Sequence, residues 1–136
     1  EKVKWKMEHL KKYKQLGRVG ERWFADSFPF AKWINKNGEK KIDHDFKIDN
    51  NYLKLFKKNK IDVKITRANS WTFNVAWSKS KEFFERDICY VLLYMDPTNN
   101  SIEIDRIKTG EEIIKTEKVK PNKKGESNCY ISRINR

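Results

Sequence analysis

Two cysteines, two histidines, five glycines and three prolines in 136 residues leave little room for several kinds of protein. Cys89 and Cys129 form no paired ligand spacing, and His9 and His44 lie far apart, which argues against a Cys/His zinc site. Cys89 falls in the apolar run ICYVLLYM and reads as a small core residue. A reduced, cytoplasmic setting is the default expectation for such a chain. No apolar run approaches the roughly 20 residues needed to span a bilayer. The charged N-terminal stretch is unlike a signal peptide. No membrane partner is expected; only residues 1–16 have the basic amphipathic pattern that peripheral binding would need. Internal repeats, low-complexity tracts and linker-like composition are also missing. Acid is scarce: 19 Asp and Glu stand against 31 Lys and Arg, for a net charge of +12.

What is present is aromatic and basic. Five Trp, eight Phe and five Tyr supply large apolar groups, so a mean hydropathy of −0.92 does not signal disorder. The length suits one domain with a single modest core. An excess of twelve positive charges favours a polyanionic partner, nucleic acid first and an anionic membrane surface second.

Residues 2–15 are lysine-rich with Val3, Met7, Leu10 and Tyr13 at helical spacing, and 17–28 continue as an amphipathic helix. Leu16, Val19, Trp23, Phe24 and Phe28 share half of that cylinder, and Glu21 lies at its rim. Gly17 and Gly20 mark either a break or a close backbone approach. After the turn KNGEK, KIDHDFKID alternates, with Ile42, His44, Phe46 and Ile48 on one face and Asp43, Asp45 and Lys47 on the other. Residues 52–56 are expected to extend a hairpin through DNN. Strands are expected at 60–66 and 71–76, with a short helix at 78–85 that turns Phe83 and Phe84 inward. ICYVLLYM fits a central strand covered on both faces. DPTNN reads as a turn, SIEIDRI as a strand, Thr109 as the N-cap of GEEIIKTE, and NCYISRI as a last strand. The expected whole is one α/β or α+β domain over 1–136, a sheet flanked by helices. It comprises a basic N-terminal helix at 1–16, a core at 17–110 and a basic C-terminal segment at 111–136.

Three acid-x-Lys triplets occur, at Glu39–Lys41, Asp45–Lys47 and Asp62–Lys64. Composition alone predicts about that number, so the context must discriminate. Glu39–Lys41 lies in a glycine turn. Asp62 and Lys64 alternate with Ile61, Val63 and Ile65, so they share one strand face if the three aliphatics face the core. They are preceded by Glu21 on a helix and Asp45 on a strand.

That order, Glu21, Asp45, Asp62, Lys64, resembles the active-site order of the PD-(D/E)xK nuclease superfamily, the restriction-endonuclease-like fold that includes archaeal Holliday-junction resolvases. The likeness covers roughly residues 17–94. His44 stands where the family has proline before the first aspartate, which leaves Asp43 as well as Asp45 in view as the first ligand; Asp45 is preferred for its place in the strand. The resemblance implies a mixed sheet flanked by helices and a DNA endonuclease using Mg²⁺, with Mn²⁺ as a substitute. It assigns Asp45, Asp62 and Glu21 to the metal and Lys64 to the attacking water or the charged transition state. Arg67, Asn69, Ser70 and Asn74 flank the motif as candidate DNA contacts. Lys57, Lys58 and Lys60, Lys11 and Lys12, and Lys123 and Lys124 belong to three lysine groups suited to phosphate contacts. Cutting both strands favours a homodimer, for which Trp5, Trp33 or Trp77 are candidate face residues. The alternative reading is a non-catalytic basic nucleic-acid-binding module.

Overall fold

Why a basic chain can fold at all is answered by where its apolar residues recur. The computed structural model describes residues 13–34, 44–68, 70–76, 84–96, 98–99, 101–118, 120–121 and 128–134. Within them helix α1 (Tyr13–Ser27) runs unbroken through Gly17 and Gly20. Its buried stripe is Leu16, Val19 and Phe24, with Trp23 and Phe28 half-buried beside it. Gly20 is the close approach: a Cβ there would lie 3.0 Å from the Ile65 side chain, whereas one on Gly17 would meet nothing within 4 Å. The division expected at residue 16 falls inside this helix.

Strands β1 (Lys32–Trp33), β2 (Phe46–Lys47), β3 (Lys60–Arg67), β5 (Ile88–Asp96) and β6 (Ser101–Thr109) form a mixed sheet in the order β1-β2-β3-β5-β6. β3 and β5 are parallel; the other pairs are antiparallel. Between β3 and β5 the chain leaves to make β4 (Thr72–Ala76). This strand joins β8 (Asn128–Ser132) and β7 (Lys120–Pro121) in a second, antiparallel sheet of order β4-β8-β7. The class is α+β. The expected strand at 52–56 is absent: Asn50–Tyr52 form a 3-10 turn and Leu53–Phe56 the one-turn helix α2, with only Phe56 buried. Burying one residue in four fits a helical turn, while a half-buried strand would bury alternate residues.

The side-chain alternation of β3 sorts the main sheet into two faces. Phe46, Ile48, Ile61, Val63, Cys89, Val91 and Leu93 pack with Phe24 and Phe56 on the side of α1. Five phenylalanines, at 24, 28, 30, 46 and 56, meet there with ring centroids 4.7 to 6.4 Å apart. On the other face Tyr90 and Leu92 are covered by Phe73 of β4, Ile131 of β8, Phe84 and Ile113. β5 is thus buried on both sides, as an unbroken apolar run requires. Phe84 is fully buried as expected, while most of the helix expected at 78–85, including Phe83, lies outside the described residues.

Helix α3 (Gly110–Thr116) opens on the expected cap. The Thr109 hydroxyl accepts from the Glu112 amide at 3.1 Å, and the Glu112 carboxylate accepts from the Thr109 amide at 3.0 Å. Gly110 is required, since a Cβ there would stand 1.8 Å from the carbonyl oxygen of Glu85. A buried Asp105–Arg106 pair ties the two sheets together: Arg106 donates to the Ser132 carbonyl at 2.9 Å and to Glu117 at 3.2 Å. Ile113 and Ile131 belong to the core, so the C-terminal segment completes the fold. No described helix is long and apolar enough to cross a membrane.

Candidate active site

Phe46 pairs with Ile61 in the β2–β3 ladder, and continuing that register sets Asp45 opposite Asp62. The Asp45 amide donates to the Ile61 carbonyl at 2.8 Å, and its own carbonyl accepts from the Ile34 amide at 2.9 Å. Its side chain then turns onto β3 and accepts from the Val63 amide at 2.9 Å. A main-chain amide in the middle of a central strand thereby takes a carboxylate in place of a neighbouring strand's carbonyl. Asp45 is fixed, buried and beside Asp62. Asp43 lies outside the described residues.

Asp62 and Lys64 do share a face, with Ile61 and Val63 in the core behind them and Ile65 packed against it. The Lys64 Nζ lies 3.0 Å from Asp62 Oδ2, with the side chains 28% and 9% exposed respectively. This is no surface ion pair. Burial pushes the Asp62 carboxyl up to about 7; Lys64 pulls against that, while the charge of Asp45 and a side-chain hydrogen bond with it push the same way. Lys64 moves up from its ordinary value, held charged by Asp62 against its own burial, and further by Asp45 and Glu21. It remains an ammonium at neutral pH, a donor and a positive charge rather than a base.

Asp45, Asp62 and Lys64 come together, whereas Glu21 is linked to them only through its charge on Lys64. Glu21 influences Lys64 more weakly than the two aspartates do. Its carboxylate is clamped on the α1 side, where Trp33 Nε1 donates to it at 3.0 Å and Arg18 approaches at 3.4 Å. Trp33 is itself wedged, stacked on Phe46 with centroids 5.6 Å apart and faced by the guanidinium groups of Arg18 and Arg22 at 5.0 and 5.6 Å. Trp33 thus serves this clamp and the core; Trp5 and Trp77 lie outside the described residues. Nothing in the sequence pairs Trp33 with Glu21, because the contact joins a helix to a two-residue strand.

The DNA-contact candidates separate further. Lys60 lies on the Asp62 face but sits 3.3 Å from Asp87. Lys57, left-handed at φ 68°, reaches Glu112 at 3.0 Å. Lys58 is half-buried next to it. Alternation and pairing with Met95 put Arg67 on the α1 face, opposite Lys64. The Ser70 carbonyl accepts from Arg133 at 2.9 Å. Asn69, Lys11, Lys12, Lys123 and Lys124 lie outside the described residues, as does the side chain of Asn74.

Among the described residues no three His, Cys, Asp or Glu side chains come close enough together to hold a metal ion on their own. Two buried carboxylates with one ammonium nevertheless suit a hard divalent cation, since Mg²⁺ takes one or two carboxylates and keeps several waters. The Asp62 carboxyl is raised first by its burial and then by the neighbouring Asp45, against the pull of Lys64. No family model, curated protein or solved structure matches this chain.

Proposed function

We propose that the chain is a divalent-metal-dependent DNA endonuclease of restriction-endonuclease-like fold. The carrying observation is the buried Asp45–Asp62 pair with Lys64 Nζ 3.0 Å from Asp62 on a central strand. Surface acid–lysine pairs are worth about 0–1 kcal/mol and need no burial; a buried pair of acids costs stability unless one is protonated or a cation offsets it, and a bound divalent ion would offset it further. Asp45 and Asp62 are the residues that would hold Mg²⁺ or Mn²⁺, with Glu21 acting through Lys64 or through water. Such an ion supplies charge neutralisation at the phosphate and hydroxide at neutral pH. Lys64, kept protonated by its acidic neighbours, donates to the attacking water or to a non-bridging phosphate oxygen as charge builds there. Asp45 is oriented by the Val63 amide, so its carboxylate cannot swing away when substrate arrives.

The test is cleavage of supercoiled plasmid and of branched DNA in Mg²⁺, Mn²⁺, Ca²⁺ and EDTA. Cutting is expected with Mg²⁺ or Mn²⁺, and little with Ca²⁺. Asp62→Ala, Asp45→Ala and Lys64→Ala should each cut at least a hundredfold more slowly while still binding DNA. Full activity in EDTA removes the metal mechanism. DNA binding with no cleavage by the wild type on any substrate returns the chain to a basic binding module.

A further inference from the structure

Among the described residues most of the large aromatic side chains are sunk in one of the two cores, but Trp71 is 45% exposed. It is also held firmly. The Arg133 guanidinium lies 5.0 Å from the Trp71 ring centroid and 4.3 Å from that of Tyr94, so cation and rings form a stack. Arg133, itself buried, donates to the carbonyls of Ala68 at 2.6 Å and Ser70 at 2.9 Å, and the Trp71 carbonyl accepts from the Arg133 amide at 2.7 Å. The loop leaving β3 is therefore pinned to the end of β8, and the indole with it.

The position of this stack matters. Tyr94 pairs with Thr66 in the parallel β3–β5 ladder, just as Leu92 pairs with Lys64. Paired residues share a face, and Thr66 is two residues beyond Lys64, so Tyr94 stands on the Asp62–Lys64 face about 7 Å further along. Trp71 lies beyond Tyr94 at the same end of the sheet, across the Arg133 guanidinium that touches both rings. An exposed indole fixed on a guanidinium offers a flat surface that any base can stack on without sequence preference.

We infer that Trp71, backed by Arg133 and Tyr94, is a stacking platform for an unpaired base of a single-stranded nucleic-acid segment lying across the Asp62–Lys64 face. The inference rests on the nuclease reading for the nature of the ligand and adds its strandedness: substrate is engaged where bases are unpaired. Bases inside a duplex present only edges and cannot reach the indole.

Binding in EDTA separates this from cleavage. A labelled oligothymidine and a labelled duplex of equal length are titrated by fluorescence anisotropy with wild type, Trp71→Ala and Trp71→Tyr. Trp71→Ala should lose about tenfold in affinity for the single strand and little for the duplex. Trp71→Tyr should keep most of the single-strand affinity, and all three should melt within a few degrees of one another. Equal affinity of wild type and Trp71→Ala for oligothymidine overturns the platform, as does a loss of equal size on both ligands or no binding to either. A wild type that discriminates through Trp71 yet never cuts DNA would refute the nuclease reading and leave the platform standing.

Discussion

Asp62 holds its proton to about pH 7 in the folded, metal-free protein and to about 3.8 when unfolded. Between those values the native state binds more protons, so this group's contribution to stability falls as pH rises through the window. Asp62→Asn keeps the shape without the titration. In metal-free buffer the wild type should lose several degrees of melting temperature, relative to the variant, between pH 5 and 8. Parallel pH profiles for the two proteins would place Asp62 in an ordinary ion pair. The carboxylates of Glu111 and Glu112 are shifted down from 4.5, so their contribution is lost only below that value and does not enter the comparison between pH 5 and 8. The position and face of Asp62 and Lys64 were legible from alternation alone. Their burial was not, because it depends on β5 and the second sheet closing around a strand whose own sequence looks half polar.

Among elements, α1 sets the distance between its Glu21 and the sheet. Gly17 and Gly20 look alike in the sequence, and the physical difference is entirely across the interface. Gly17→Ala should stabilise by up to about 1 kcal/mol, since glycine is the poorer helix former and nothing obstructs the added methyl. Gly20→Val should cost about 1–3 kcal/mol through overpacking on the Ile65 side chain. Chemical denaturation of the variants measures it; equal effects at both glycines would mean that α1 does not pack where described. Helix α1, strand β3, strand β5 and the Thr109 cap could all be read from periodicity and capping chemistry. Residues 52–56 could not, because five residues are too few to separate a period of 2 from one of 3.6. Nor could the departure of β4 into its own sheet, since its partner β8 lies more than fifty positions away.

For the whole molecule, a charge of +12 should make DNA affinity fall steeply with salt, by about 0.9 in log affinity per log salt for each phosphate contacted. Four contacts would give roughly a tenfold loss on doubling the salt. A flat titration would remove the electrostatic basis of the DNA reading. Lys57 and Lys60 already face acids, so charge reversal there should change the slope less than a count of lysines suggests. The Arg133 carbonyl clamp and the Trp33–Glu21 bond, spanning 63 and 12 positions respectively, show why the remainder of the site was hidden. Each joins residues whose separation in the chain carries no periodic signal.

The parallel pairing of β3 with β5 has a consequence in time. Lys60 meets Ile88 only after the chain has gone out through β4 and returned, a closure that costs more entropy than a hairpin and forms late. Until then Asp62 is wet and its neighbour Asp45 is screened by water, so the dry acidic pocket does not exist for most of the folding reaction. A divalent ion should therefore leave the refolding rate nearly unchanged and slow unfolding instead, by about tenfold when present at ten times its dissociation constant. Stopped-flow refolding and unfolding limbs, with and without Mn²⁺ at constant ionic strength, would show it. An ion that accelerated refolding would mean the carboxylates meet before the crossover closes. The protein would then reach its native state site-first, with the acids as an early nucleus rather than a late burden.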